Sequence, residues 1–252
     1  MSRRRPAMPP LPPFRPRAPW WTGDLQTVRN YLCPVRPLLS RYAGERLALP
    51  MGDGTGDILA AILNRPAAPA PKPLVLLIHG LTGCEDSIYM RGSARFWLSR
   101  GHPVLRLNLR GAGPSRPTCR EQYHAGRTDD LRRVLTALDP ALLSHGLVLV
   151  GNSLGANMLL KYLGEEGAAA PRRAAISVSA PIDLAATAEA FHRPRNRVYL
   201  HYLLSRMKAE SLAPAAALDR KERMAILGAR TVRAFDDRFV APRNGFAGAD
   251  DY

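Results

Sequence analysis

The chain has 252 residues, 46% hydrophobic and 23% charged, which suits a folded domain with a sizeable core and excludes a disordered or fibrous protein. Its 36 basic residues outnumber 21 acidic ones, giving a net charge of +15 and an isoelectric point near 10.6. Only Lys72, Lys161, Lys208 and Lys221 are lysines, the arginines are spread along the chain, and no RNA- or DNA-binding signature accompanies them; the charge reads as the bias of a GC-rich genome, and no nucleic-acid partner is expected.

Residues 1–19 are rich in proline and arginine and are expected to stay disordered or extended. Their basic cluster resembles the start of a signal peptide, but prolines interrupt every apolar stretch behind it. A single domain is expected from Trp20 to Tyr252. "ERLALP" and "DILAAILN" flank the glycine-rich "MGDGTGD" and predict a hairpin. "LVLLIHG" (74–80) is a short, fully apolar strand. "SIYMRGSARFWLSRG" is a helix closed by Gly101, and "HPVLRLNLRG" the next strand. "TDDLRRVLTAL" is a helix with Thr128 as N-cap and Asp129 and Asp130 in its first turn. "LVLVGNSLGANMLLKYL" (147–163) runs from strand to helix, and "RAAISVSAP" is a further strand. Alternating strands and helices predict a mostly parallel α/β sheet covered on both faces. Residues 181–230 read as helices without a strand, hence a cap inserted into the domain.

Two motifs carry chemistry. Gly-Asn-Ser-Leu-Gly is a G-x-S-x-G pentapeptide with the strand before it and helix after it that a nucleophile elbow requires, and it nominates Ser153. The backbone N–H of Leu154 would then point at a forming oxyanion. "HGLTG" (79–83) follows the earlier apolar strand and offers the N–H of Leu81 as second oxyanion donor. His79 precedes the serine and is expected to order that loop rather than act as base.

With these motifs the chain resembles the YheT-like branch of the α/β-hydrolases, relatives of eukaryotic abhydrolase-domain esterases and lipases. "WWTGDLQTVRNYL", "LLIHGLTGCEDSIYMR", "LNLRGAGPS", "YHAGRTDDLRRVL", "GNSLGANMLLKYLGE" and "FDDRFVAPRNGFAGADDY" carry the resemblance from Trp20 to the last residue; Asp24 stands where many members have histidine. The resemblance implies an α/β-hydrolase fold, hydrolysis of short-chain or acylglycerol-like carboxylic esters, and Ser153 as nucleophile. It also implies about eight strands, with the acid after the seventh and the histidine after the eighth. The strand count stops at the sixth, so the last strands are expected to be missing and the proton acceptor to lie outside this chain. The alternative to a serine esterase is therefore an impaired or non-catalytic hydrolase-like chain. If hydrolysis occurs regardless, His79 and His124 are the first candidates for an unconventional base.

Other features read as structure. "RGAGPSR" (110–116) lacks the third glycine of a dinucleotide loop, so no cofactor is expected. Asp236 and Asp237 could be proposed as the triad acid, but the resemblance places this segment before the strand that bears the acid, so a structural or capping role is expected. His124, His145, His192 and His201 fall in loops or cap helices, and no histidine follows position 201. Arg193, Arg195 and Arg197, near Tyr199, Tyr202 and Leu203, read as a solvated helix face over a buried stripe. Cys33, Cys84 and Cys119 are odd in number and lack metal-ligand spacing, which predicts no metal and a reducing, cytoplasmic setting. No run approaches the ~18 apolar residues of a membrane span. Contact with anionic membrane surfaces is expected to be weak and screened by salt.

Overall fold

A computed structural model describes residues 12–33, 37–68 and 70–252. The chain forms two units, Met1–Arg36 and Pro37–Tyr252. The expectation for residues 1–11 lies outside the described residues; residues 12–17 carry no regular structure. In the first unit α1 (Gly23–Leu32) starts at Thr22, whose hydroxyl accepts the Leu25 N–H at 3.2 Å. Asp24 sits in its first turn, where a negative charge suits the helix dipole.

The second unit is built on a sheet of six strands among the described residues: β1 (Gly44–Pro50), β2 (Ile58–Asn64), β3 (Leu74–Ile78), β4 (Val104–Leu107), β5 (Leu147–Asn152) and β6 (Ala174–Val178). Their spatial order is β1-β2-β4-β3-β5-β6. β1 and β2 form the expected antiparallel hairpin, β2 pairs antiparallel with β4, and β4, β3, β5 and β6 run parallel.

The apolar runs explain the layers, because side chains alternate between the faces of a strand. Leu74, Leu76 and Ile78 of β3 and Leu147 and Leu149 of β5 enter one core with α3 (Asp129–Ala137) and α5 (Leu154–Glu166). Val75, Leu77, Val148 and Val150 face the other way, onto Met90, Ala94 and Leu98 of α2 (Ile88–Leu98). The cover stops at β6: all five of its residues are exposed, against the expectation of a sheet covered throughout.

A short α4 (Pro140–Leu143) precedes β5. After β6 come α6 (Leu184–Ala190), α7 (Arg197–Ser211), α8 (Arg220–Gly228) and α9 (Val232–Phe235), then a π turn over Asp236–Val240. Asp183 caps α6 by accepting the Ala186 N–H at 2.8 Å. Asp219 and Glu222 form a reciprocal capping box at α8. Leu204 and Met207 of α7 are buried with Ile226, Phe235 and Phe239 in a third core. Arg193, Arg195 and Arg197 are exposed, but only Arg197 belongs to α7; Arg193 and Arg195 lie in the short turn before it.

A second sequence expectation is corrected. Thr128 precedes α3 but is itself helical and caps nothing with its side chain. Its hydroxyl instead donates to Glu165 at 2.5 Å and accepts from Arg132 at 3.1 Å, joining α3 to α5. Asp130 is likewise taken from solvent by Arg110. That fully buried arginine bonds Asp53 at 2.7 Å, Asp57 at 2.9 Å and Asp130 at 2.7 Å, tying the β1–β2 turn and α3 to the loop after β4. The "RGAGPSR" stretch is thus spent on packing: Ser115 accepts the Ala60 N–H at 2.8 Å and donates to the Asn108 carbonyl at 3.1 Å.

Candidate active site

β5 and α5 meet at Ser153, whose backbone has φ 52° and ψ −121°. A non-glycine residue rarely adopts such angles, and the strain persists only where the surroundings over-determine it. Here they do. The Ser153 N–H bonds the Val178 carbonyl of β6 at 2.9 Å, and its own carbonyl accepts from Ala156 and Asn157 at 2.9 and 3.0 Å. The two flanking glycines let helix and sheet close on the turn. A Cβ on Gly155 would lie 2.3 Å from the His79 carbonyl oxygen, and one on Gly151 2.5 Å from that of Gly155. The serine side chain is exposed at the carboxyl end of β5.

Because β3 lies beside β5, the loop that follows β3 comes down on the same turn. A Cβ on Gly80 would sit 2.8 Å from the Ser153 Cβ and 3.4 Å from its Oγ. Within this loop the Gly80 N–H donates to the Tyr89 hydroxyl at 2.9 Å, the Thr82 N–H to the Tyr123 hydroxyl at 2.7 Å, and the Gly83 N–H to the Gly80 carbonyl at 3.0 Å. The N–H groups of Leu81, between them, and of Leu154, at the start of α5, have no hydrogen-bond partner among the described residues. Two free donors beside a strained serine can hold a negative oxygen, and the positive end of α5 adds to that field.

His79 braces the loop. It is fully buried, its Nδ1–H donates to the Gly80 carbonyl at 2.8 Å, and its Nε2 accepts the Leu109 N–H at 3.0 Å. Burial pulls its pKa down to about 4, so it stays neutral with both nitrogens committed. His124 lines the cavity in front of Ser153. Its Nδ1 accepts the Gly126 N–H at 3.2 Å, which puts the ring proton on Nε2 and leaves no free lone pair for a base. Burial, then Arg127 and Lys161, hold its pKa at about 4. His145, His192 and His201 are exposed and outside this cavity.

The cavity measures about 360 Å³. Leu81, Leu154, Leu184, Leu203, Met207 and Phe235 make most of its wall apolar, while Gln122, Glu210 and Asp236 bring polar groups to it. Burial pushes both the Glu210 and the Asp236 carboxyls up to about 7. Asp237 behaves as the sequence suggests, accepting the Ala249 N–H at 3.1 Å, but its neighbour Asp236 faces the cavity with no side-chain hydrogen bond among the described residues. Among those residues no group of His, Cys, Asp and Glu side chains is placed to hold a metal ion. Tyr123 and Glu210 are the cavity groups that sequence reading passes over, and Asp236 is one that it assigns to structure; the "YHAGRTDD" stretch is the one available signal for Tyr123.

Comparison with known proteins agrees with this architecture. The profile of the family described as alpha/beta hydrolase fold matches residues 73–231, more than half of the chain. The putative esterase YheT of Escherichia coli (strain K12) is 33% identical over 211 residues, covering 82% of this chain and 61% of that protein. The monoacylglycerol lipase of Saccharomyces cerevisiae is 30% identical over 190 residues, covering 72% of this chain and 42% of the lipase. The chain thus spans less than two thirds of the length of either relative. A solved Pyrococcus furiosus esterase superposes with a TM-score of 0.50 at 18% identity, over 67% of this chain and 62% of its own, and shares the fold. The YheT-like resemblance and the mostly parallel, helix-flanked sheet stand together, and the chain belongs to the α/β-hydrolase fold family.

Proposed function

We propose that this chain carries the nucleophile and oxyanion pocket of a carboxylic-ester hydrolase acting on short-chain or acylglycerol-like esters. Ser153 Oγ attacks the ester carbonyl, and the N–H groups of Leu81 and Leu154 receive the oxyanion. The observation that carries this reading is the strained Ser153 turn at the mouth of an apolar cavity, with both donors unoccupied. The relatives named esterase and lipase support the substrate class.

A second reading, a hydrolase whose serine turns over slowly on this polypeptide, is favoured by the committed nitrogens of His79 and His124. Without an imidazole base most of the rate is lost, while the oxyanion donors retain a remnant. The two readings separate in one experiment. A fluorophosphonate probe should label wild-type protein at Ser153, and Ser153→Ala should abolish both the label and any p-nitrophenyl ester hydrolysis. A kcat above about 1 s⁻¹ would discard the second reading, and hydrolysis unaffected by Ser153→Ala would discard the first. The partner is then a small ester or lipid. No helix among the described residues is long and apolar enough to cross a membrane, and we expect any contact of the basic surface with anionic lipid to weaken as salt rises.

A further inference from the structure

The Tyr123 hydroxyl joins two segments that are far apart in sequence. It accepts the Thr82 N–H at 2.7 Å and donates to Glu210 Oε2 of α7 at 3.0 Å. Thr82 is a non-glycine residue held at φ 55°, so the loop does not keep this shape by preference. Tyr123 is itself fixed: its ring is buried and meets His79 edge-to-face at 5.8 Å, and its N–H bonds the Arg110 carbonyl at 2.9 Å. Asp57 holds the preceding turn by accepting the N–H groups of Arg120 at 2.7 Å and Glu121 at 3.2 Å. With the Tyr89 hydroxyl on Gly80, the two tyrosines occupy the amides on either side of Leu81 and leave its N–H free to face the serine.

The geometry points to Tyr123 as a positioning residue that couples the seating of helix α7, through Glu210, to the alignment of the Leu81 N–H beside Ser153. When α7 lies over the cavity, Glu210 orients the tyrosine proton away from the loop, and the hydroxyl lone pair is turned to the Thr82 amide. When α7 lifts, Tyr123 loses its acceptor, and the Thr82 bond loses the polarisation that strengthens it. Closing the cavity and arming the oxyanion donor are then one event. Glu210 sits in a cavity wall with Arg116 and Arg206 nearby, and its burial keeps the carboxyl close to the tyrosine rather than to water.

This coupling rests on the function proposed above, and the test separates the two. Tyr123→Phe keeps the ring and deletes one oxygen. It should lower the melting temperature by a few degrees at most, speed amide hydrogen exchange at Thr82 and Gly83 by about tenfold, and lower kcat, or the fluorophosphonate labelling rate, by roughly ten- to a hundredfold with KM little changed. Glu210→Leu should produce the same pattern more weakly, add little in the double variant, and be rescued by Glu210→Gln, whose amide oxygen accepts the same hydrogen bond. Exchange at Thr82 and Gly83 that ignores Tyr123→Phe, or effects of the two variants that simply add, would overturn the coupling. If exchange responds as expected while wild-type Ser153 proves inert to the probe, the coupling holds and the catalytic assignment falls.

Discussion

Two glycines in the same helix make opposite predictions. Gly155 starts α5 against the sheet and Gly164 lies exposed near its end. A methyl group on Gly155 would meet the His79 carbonyl oxygen at 2.3 Å, the Ile78 Cγ2 at 2.8 Å and the Ile78 carbonyl at 3.0 Å. Two of these three atoms are backbone atoms at the end of β3, so relief requires α5 to move by about 1 Å and to loosen the buried packing of Met158, Leu159 and Tyr162. Overpacking against backbone costs about 4 kcal/mol, the gain in helix propensity returns about 1, and Gly155→Ala should destabilise by about 3 kcal/mol. At Gly164 a methyl group meets nothing within 4 Å, so only the propensity remains and Gly164→Ala should stabilise by about 0.5–1 kcal/mol. Urea unfolding followed by far-UV circular dichroism measures both. A Gly155→Ala variant within about 1 kcal/mol of wild type would refute the claim that helix and sheet close on the serine turn without slack.

Asp236 gives a pH prediction of definite sign. Its folded carboxyl titrates at about 7, above the ~4 of an unfolded chain, so the protonated form is favoured by folding and stability falls as pH rises from about 4 to 7. The gap, at about 1.4 kcal/mol per pH unit, sets a ceiling near 4 kcal/mol; Asp236→Asn should melt higher than wild type near pH 8 and coincide with it near pH 4. A melting difference that does not depend on pH would show that Asp236 is not held in the cavity as a strained carboxylate. Arg110→Met strands three buried or half-buried carboxylates, Asp53, Asp57 and Asp130, and should cost roughly 3–5 kcal/mol in a chemical melt. Loss below about 1 kcal/mol would mean that these acids can reach water or protonate at no cost.

Much of the site was legible in the sequence because its parts are local. A strand, five residues and a helix define the Ser153 turn, and "HGLTG" behind an apolar strand marks the loop that comes to lie beside it. The adjacency of β3 and β5 then follows from the fold that the motifs imply. What stayed hidden depends on contacts between distant segments. Tyr123 and Glu210 are 87 positions apart, and nothing in the periodicity of α7 singles out one glutamate from its solvent-facing charges. Arg110 looks like one more member of a scattered arginine population until the β1–β2 turn folds back on it. Thr128 has the residue type and place of an N-cap, but Glu165 and Arg132, across from it on α5 and one turn along α3, compete for its hydroxyl. Asp236 and Asp237 are indistinguishable as neighbours in a string, and only the π turn sends one to the surface loop and the other to the cavity.

The exposed strand β6 has a consequence for the serine. The Ser153 amide hangs on the Val178 carbonyl, the last residue of that strand, whose five residues lie open to water and whose only strand neighbour among the described residues is β5. Strands of this kind open at a lower free energy than a core does, in units smaller than the whole domain. Each time β6 peels from β5, the strained turn loses one of the bonds that enforce it and is free to relax. If Ser153 is the nucleophile proposed above, the fraction of molecules in which it is assembled cannot exceed the fraction in which this edge is closed. On that proposal, reactivity at Ser153 would gauge the opening of β6 and would fade under conditions in which the rest of the sheet is still intact.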